Sequence, residues 1–394
     1  MYDQKAYEWG MNKCIIREIA EYGNAQKAIV GEENVYDFTI GNPSMPTPAE
    51  VDQTIRDILS DTPSLAIHSY TSAAGDYSAR KAIAEDLNHR FSAGVRPEDL
   101  MLTCGAAPAL TAILGGLAVE NSEVILIAPF FTEYVPYVEG VGARVKIVGP
   151  DLPDFQIPMA QLEEAITERT VAVLVNSPNN PSGMVYTKET LEKLAALLTE
   201  KGKQFGHPIY IVADEPYREL VYGGAEATFI PNVYPNTIVC YSYSKSLSLP
   251  GERLGYVYVP SQAADSREIY AAISGAARAK GHICAPSLWQ RVISRCAHLR
   301  PDLESYDKNR SLLYESLKAM GYEMPKPEGA FYLFIKAPGG DALAFAQRAM
   351  EENLLLVPGD DFGCPGYLRV CYCVKYETIE RSLPIFKQLI ENRA

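Results

Sequence analysis

The feature that most constrains the fold of this chain is a series of short apolar runs between residues 100 and 260. Stretches with a helical pattern lie between several of these runs. The apolar runs that indicate strands cover residues 124–128, 145–148, 171–175, 210–213, 238–241 and 256–259. Nearly continuous apolar strands that alternate with helices are typical of a mostly parallel sheet with helices on both faces. We therefore predict an α/β fold with such a sheet at its centre.

The rest of the chain predicts a second, smaller domain. Its patterns are helical at 13–30, 287–320 and 341–353, and strand-like at 330–335, 354–357 and 368–373. The long helical pattern is interrupted near Pro301. A chain of 394 residues has room for more than one domain. We predict a large domain at residues 46–285, and a smaller α+β domain that combines residues 1–45 with residues 286–394.

Composition and charge exclude several classes of protein. The formal net charge of −13 argues against a surface that binds nucleic acid. The eight cysteines are scattered without C-x-x-C spacing, so we expect reduced thiols in a cytoplasm, with neither a disulfide framework nor a metal site. The N-terminus lacks the apolar core of a signal peptide. Residues 100–119 carry no charge, but they include Pro108 and three glycines, so we expect a buried helix there and no membrane span.

Two motifs contain groups that are suited to binding a ligand. The sequence Thr-Cys-Gly-Ala-Ala-Pro at 103–108 precedes a helical pattern whose first turn accepts a proline, and free N–H groups at a helix start bind anions. The sequence Asn-Asn-Pro-Ser-Gly at 179–183 follows an apolar run and predicts a turn at the end of a strand. Its side-chain amides could bind a ligand, although each motif alone also fits an ordinary turn.

Charged and phenolic side chains follow the next two apolar runs. Asp214 and Tyr217 lie in Asp-Glu-Pro-Tyr, where a carboxylate at the end of a buried strand is costly without a partner. Asp214 could hold a proton on a ring nitrogen, and Tyr217 could donate to a neighbouring oxygen. Lys245 ends Ser-Tyr-Ser-Lys after the following run, and a partly buried lysine can act as a nucleophile. Taken singly, each of these residues also fits a structural role.

Two arginines complete the pattern. Arg253 lies eight residues after Lys245 and could bind a phosphate. Arg369 lies inside an apolar run near the C-terminus, where it needs an anion such as a substrate carboxylate or a structural ion pair. Ligands of open α/β sheets bind at the carboxyl ends of the strands, so these groups are expected in one crevice. Together they indicate a phosphorylated heteroaromatic aldehyde held on a lysine.

The combination of NNPSG, DEPY, SYSK with an arginine eight residues later, and YLRV resembles the fold-type I pyridoxal-phosphate enzymes. Among these, it is similar to the class I/II aminotransferases of the aspartate aminotransferase family, from about Asp37 to the C-terminus. The resemblance implies a seven-stranded sheet and pyridoxal 5'-phosphate as cofactor. It implies an aminotransferase that moves an amino group between an L-amino acid and a 2-oxo acid, as a cytoplasmic homodimer in amino-acid metabolism.

The resemblance also implies roles for individual residues. Lys245 would hold the cofactor as a Schiff base and move protons, and Asp214 would keep the pyridine nitrogen protonated. Tyr217 and Asn180 would bind the phenolic oxygen of the ring, and Phe131 would stack on the ring. The phosphate would be held by the backbone of Ala106 and Ala107, by Ser242 and Arg253, and by Tyr70 of the partner subunit. The substrate carboxylate would be bound by Arg369, Asn180 and the backbone of Gly41.

The identity of the substrate is left open at this stage. Some dicarboxylate-specific relatives carry a lysine where this chain has Ala107, and Phe131 replaces a frequent Trp or Tyr. The absence of that lysine removes one route to binding a distal carboxylate, and Phe131 favours an apolar pocket ceiling with few hydrogen-bonding groups. Residues 11–17 could form a mobile lid, from which Lys13 or Arg17 would contact a side-chain carboxylate.

Other functions on the same scaffold also remain open. A C–S β-lyase or a cyclising synthase would need the same Lys245, Asp214 and Arg369. A cofactor-binding regulatory module is disfavoured, because only some forty residues precede Gly41 and the chain is acidic. A structural protein without chemistry is disfavoured because every catalytic position is filled.

Overall fold

The computed structural model of the protein describes residues 1–11 and 15–392. The described α-helices are Gln4–Met11, Ile15–Val30, Ala49–Asp61, Ser64–His68, Tyr77–Phe91, Ala106–Leu117, Tyr134–Glu139, Met159–Ala165, Lys188–Phe205, Tyr243–Ser246, Ser266–Ala279, Ser287–Cys296, Leu303–Ala319, Ala342–Glu351 and Tyr376–Glu391. The described strands are β1 (Tyr36–Asp37), β2 (Leu100–Thr103), β3 (Glu123–Ile127), β4 (Arg144–Val148), β5 (Thr170–Asn176), β6 (Tyr210–Asp214), β7 (Thr237–Ser242), β8 (Gly255–Tyr258), β9 (Tyr332–Lys336), β10 (Leu354–Leu355), β11 (Val357–Pro358) and β12 (Tyr367–Cys371).

A seven-stranded sheet forms the centre of the large domain, in the order β2-β8-β7-β6-β5-β3-β4. β8 runs antiparallel to both of its neighbours, and the other neighbouring strands are parallel. This arrangement confirms the predicted α/β class and the mostly parallel sheet. The parallel strands end at one edge of the sheet, which is the edge where a ligand is expected.

Both faces of this sheet are buried under helices, as the apolar runs predicted. In β3, Ile125 and Ile127 belong to one buried apolar cluster, and Val124 and Leu126 belong to another. Successive side chains of a strand point to opposite faces, so a strand that is covered on both sides needs apolar residues at every position. This requirement explains the short, uninterrupted apolar runs of the sequence.

The uncharged stretch 100–119 is only partly the buried helix that we expected. Its first residues form the edge strand β2, and the helix covers Ala106–Leu117. Gly105 separates the two elements with a φ of +89°, a conformation that glycine adopts without strain. Across residues 1–11 and 15–392, no helix has both the length and the apolar character that are needed to cross a membrane.

The smaller domain is built on the antiparallel sheet β11-β12-β9, in which Arg369 pairs with Phe334 on one side and with Val357 on the other. The N-terminal segment contributes β1, which pairs in parallel with β10. Phe38 lies in the same buried cluster as Phe386 and Leu313, which belong to the C-terminal helices. The N-terminal segment therefore packs with the C-terminal part of the chain, and an α+β domain results.

The limits of the two domains stay a prediction. The helix Ser287–Cys296 lies just after the predicted boundary at residue 285, and its Val292 and Ile293 belong to a buried cluster of the large sheet. This packing supports a proposal that the large domain continues through this helix.

Candidate active site

A cavity of about 330 Å³ lies between the two domains, at the carboxyl ends of β5, β6 and β7. All of the predicted site residues except Tyr70 line it: Gly41, Ala106, Ala107, Phe131, Asn180, Asp214, Tyr217, Ser242, Lys245, Arg253 and Arg369. Motifs that are far apart in the sequence therefore lie together in one cavity of the folded chain.

Asp214 is the last residue of β6 and is buried in the cavity wall. Its Oδ2 accepts a hydrogen bond of 2.5 Å from the hydroxyl of Tyr134. Its Oδ1 is buried, and no group of the described residues hydrogen-bonds it. Burial raises the pKa of Asp214 to about 6, against the opposing effects of the Tyr134 hydroxyl and the Cys240 thiol. The site thus presents a carboxylate oxygen that still needs a partner.

Tyr134 and Asn176 support Asp214, and the sequence reasoning missed both. Tyr134 begins the helix Tyr134–Glu139, three residues after Phe131, and only its contact with Asp214 identifies it. Asn176 is the last residue of β5; its amide donates to the Asp214 carbonyl at 2.8 Å, and its Oδ1 accepts from the Asn180 backbone N–H at 2.8 Å. The strand-end rule that found Asp214 also applied to Asn176, so this residue was within reach of the sequence.

Lys245 lies in the short helix Tyr243–Ser246, where the Ser242 hydroxyl accepts a hydrogen bond from the Ser244 backbone N–H at 3.1 Å. Its Nζ donates to the carbonyl oxygen of Gly41 at 2.5 Å. Burial lowers the pKa of Lys245, and the nearby charge of Arg369 acts in the same direction. A lysine with a lowered pKa has a larger fraction of free amine, which is the form that acts as a nucleophile or base.

Arg253 and the start of the helix Ala106–Leu117 form an anion-binding corner of the cavity. A Cβ atom at Gly105 would lie 2.6 Å from Nη2 of Arg253, so the glycine allows the guanidinium to approach the helix. The first backbone N–H groups of a helix have no partner within the helix and attract anions. With Ser242 and Ala106 in the same cavity wall, this corner is suited to a phosphate.

Arg369 lies in the middle of β12 and is only 2% exposed. Its Nη1 donates to Oδ1 of Asn180 at 2.9 Å, and its Nη2 donates to the carbonyl oxygen of Thr39. Its Nε is buried without a hydrogen-bond partner among the described residues. A fixed, buried guanidinium with spare donor capacity is suited to a carboxylate.

Aromatic residues shape the remaining walls. Phe131 stands edge-on to Tyr134, with ring centroids 5.6 Å apart. The hydroxyls of Tyr217 and Tyr332 are 2.9 Å apart, and burial raises the pKa of Tyr217, so this phenol is neutral at physiological pH. Tyr332 is a further cavity residue that the sequence reasoning missed, because it is one of several aromatics in a buried strand.

Tyr70 is the predicted site residue that the chain does not bring to the cavity. It follows the helix Ser64–His68 and is 96% exposed. In the predicted lid, Lys13 lies outside the described residues. Arg17 is exposed on the helix Ile15–Val30, whose Ile16 lines the cavity.

The sequence of the chain is similar to known aminotransferases over most of its length. The family model described as aminotransferase class I and II matches residues 33–384. The chain is 30% identical over 389 residues to an aspartate aminotransferase of Thermotoga maritima, with 96% of this chain and 97% of that protein covered. It is 31% identical over 364 residues to an aspartate/prephenate aminotransferase of Thermus thermophilus, with 90% of each chain covered.

Solved structures give the same result. A crystal structure of an amino transferase from Eubacterium rectale superimposes with a TM-score of 0.97 at 49% identity, with 99% of this chain and 98% of that chain covered. An aspartate aminotransferase from Thermus thermophilus, solved with maleate, superimposes with a TM-score of 0.85 at 28% identity, with 99% of this chain and 100% of that chain covered.

Because the carboxyl group of Asp214 is buried, we predict that it lowers the stability of the ligand-free protein by an amount that depends on pH. Between pH 3.8, the ordinary pKa of an Asp, and about 6, the folded state holds a proton that the unfolded state has lost, so stability falls as pH rises through this window. The Asp214→Asn variant lacks this titration. We expect the unfolding free energy of this variant at pH 7 to be about 3 kcal/mol larger than that of the natural protein. The value follows from the rise in the pKa of Asp214 from 3.8 to about 6, because one pKa unit corresponds to about 1.4 kcal/mol.

Urea unfolding of both ligand-free proteins between pH 4.5 and 8 measures this difference. Asp52→Asn, at an exposed position, is the matched control for the substitution itself. A constant or reversed gap for Asp214→Asn would contradict the assignment.

Proposed function

Because the chain belongs to the class I and II aminotransferases, we propose that Lys245, Asp214 and Arg369 carry its reaction. The enzyme catalyses pyridoxal-phosphate-dependent transamination, in which an amino group passes between an amino acid and a 2-oxo acid. The observation that carries the proposal is that one cavity contains a buried amine, a carboxylate oxygen without a partner and a fixed guanidinium. These are the groups that the reaction needs for proton transfer, for the cofactor ring and for the substrate.

The residues of the cavity fit pyridoxal phosphate. The unpaired Oδ1 of Asp214 is suited to a protonated ring nitrogen, and the corner at Gly105, Ala106 and Arg253 is suited to the phosphate. Lys245 also lines the cavity, and its amine is suited to the aldehyde group of the cofactor. When bound, the cofactor withdraws electrons from the α-carbon of the amino acid.

Asp214 would hold a proton on the ring nitrogen. A carboxylate whose pKa is raised to about 6 by burial gains most from a positive partner, and in return it raises the pKa of that partner. The Tyr134 hydroxyl fixes the orientation of the carboxyl group through Oδ2, which leaves Oδ1 for the ring.

Lys245 would move the proton at the α-carbon. The lowered pKa of its amine favours the free base that accepts this proton, and the amine can return it to the neighbouring carbon. The Gly41 carbonyl holds Nζ in the cavity at 2.5 Å, so the base is positioned before the substrate arrives.

Arg369 would bind the α-carboxylate of the substrate and thereby set its orientation. Asn180 and the Thr39 carbonyl hold the guanidinium in place, so the carboxylate meets donors in a fixed direction. By fixing the orientation of the substrate, Arg369 would select which bond of the α-carbon is broken. Supporting roles are proposed for Gly41 with the substrate carboxylate, for Asn180 and Tyr217 with the ring oxygen, for Phe131 with the ring face, and for Ala107 and Ser242 with the phosphate.

A C–S β-lyase is the alternative on this scaffold. The matched relatives and structures described above are aminotransferases, so the lyase is not favoured. We further propose that the enzyme is a homodimer in the cytoplasm. The free thiols of the seven described cysteines support the location, and the exposure of Tyr70 supports the dimer.

Replacement of Lys245 tests the reaction itself. Lys245→Ala is expected to lower the turnover of every amino acid at least about a thousandfold, because the base at the α-carbon is lost. Transamination with a panel of L-amino acids and 2-oxo acids measures the effect. Lys193→Ala, on an exposed helix face, is the control and should keep full activity. Normal turnover by Lys245→Ala would show that the site is wrongly assigned.

Replacement of Arg369 should act mainly on substrate binding. Arg369→Lys keeps the charge but loses the forked donor pair, so we expect KM for the amino acid to rise about a hundredfold. Cofactor absorbance of the variant should match that of the natural enzyme. An unchanged KM, or loss of the cofactor, would contradict a role in binding the carboxylate.

A dimer in which Tyr70 completes the partner's site makes a complementation prediction. Tyr70→Ala and Lys245→Ala subunits are each defective, but a mixed dimer contains one site with both natural residues. After exchange of equal amounts of subunits at limiting cofactor, we expect about a quarter of the natural activity, because half of the dimers are mixed and each has one intact site. Activity no higher than the mean of the two variants, or an active monomer in sedimentation, would contradict the proposal.

A further inference from the structure

We propose that this enzyme favours large neutral L-amino acids with apolar side chains over aspartate and glutamate. The inference rests on the proposed function, since it takes the roles of Arg253 and Arg369 from there. It concerns the part of the cavity that receives the side chain of the substrate.

In the proposed function, each basic side chain of the cavity already has a role other than binding the side chain of the substrate. Among the described residues that line it, the basic side chains are Lys245, Arg253 and Arg369. In the proposed site, Lys245 serves the cofactor and the α-carbon, Arg253 the phosphate, and Arg369 the α-carboxylate. A second carboxylate, on the side chain of a substrate, would have no further cationic partner among the described wall residues of its own subunit. An unpaired carboxylate in a partly buried site is unfavourable.

The walls that remain are apolar. Ile16, Ile40, Ala107 and Phe131 line the same cavity. Ile16 also packs against a buried cluster that includes Phe334 and Phe362 of the small domain and Phe155 of the large domain. The cluster fixes Ile16 in the wall, so an apolar substrate side chain would meet a surface that is already assembled.

Tyr137 is a further polar residue of this wall. Burial raises the pKa of Tyr137, with a further contribution from Glu133, so its hydroxyl is neutral. It can donate a hydrogen bond to a carboxylate, but it supplies no positive charge to pair with one.

Arg17 is the rival source of a cation. It is exposed on the helix Ile15–Val30 and does not line the cavity, although its charge lowers the pKa of the wall residue Tyr137. Lys13 lies outside the described residues and is tested directly instead. If either side chain bound a distal carboxylate, its removal would selectively slow aspartate and glutamate.

The experiment uses the holoenzyme and measures the half-reaction with each amino acid alone, from the absorbance change of the bound cofactor. Without an acceptor, the rate reports the amino acid alone. We expect the apparent second-order rate constants of leucine, methionine and phenylalanine to exceed those of aspartate and glutamate at least about a hundredfold, because a site that leaves a charge unpaired discriminates strongly. Lys13→Ala and Arg17→Ala should leave this ratio unchanged.

A gain-of-function variant provides the matched comparison. Ile16→Arg puts a guanidinium in the wall and should raise the rate of aspartate relative to leucine at least about tenfold. Ile29→Arg, on the same helix and 75% exposed, should not change the ratio. If Ile16→Arg does not fold, Ile40→Arg, at a half-exposed wall position, makes the same test.

Two failures are distinguishable. Aspartate or glutamate reacting as fast as the apolar amino acids in the natural enzyme would overturn this inference and leave transamination intact. A bound cofactor that responds to none of the amino acids would overturn the proposed site together with the inference.

Discussion

The rest of the site depends on the burial of one carboxyl group at the end of the central strand β6. The protein supplies Asp214 with one hydrogen bond, from Tyr134, and leaves its other oxygen without a partner among the described residues. Burial raises the pKa of this group to about 6, so an anion is held at an energetic cost in the ligand-free fold. In the proposed function, a protonated ring nitrogen would remove that cost, so that binding of the cofactor and its activation would depend on the same contact.

The second constraint is that Lys245 and Arg369, which we propose to carry the reaction, also join the two domains. Arg369, on the small antiparallel sheet, is hydrogen-bonded to Asn180 of the large domain and to the Thr39 carbonyl of the N-terminal segment. Lys245, after a strand of the large sheet, is hydrogen-bonded to Gly41 of the same segment. A small shift of one domain would change the direction of both groups. The amine and the guanidinium are therefore oriented together, as a reaction that depends on substrate orientation requires.

Much of this arrangement follows from the sequence, and the exceptions have physical reasons. The apolar runs predicted the central strands, because each strand must be covered on both faces. The positions of Asp214, Asn180 and Lys245 near the ends of those strands predicted that they lie in one crevice. The edge strand β2 was missed because its four residues join an apolar helix without a charge between them. Tyr134 and Tyr332 were missed because only the tertiary packing places them in the site, and no local sequence pattern indicates that packing. Tyr70 is exposed on this chain, and its role in the site of a partner subunit stays a prediction.

The most direct test of the account is the visible absorbance of the protein loaded with pyridoxal phosphate, followed during addition of one L-amino acid without an acceptor. The account predicts that the band of the bound cofactor is replaced by that of its amine form, that about one equivalent of 2-oxo acid appears per site, and that a 2-oxo acid restores the original band. A band that persists while thiol or ammonia is released would indicate a lyase. The absence of any band after addition of the cofactor would contradict the assignment of Lys245.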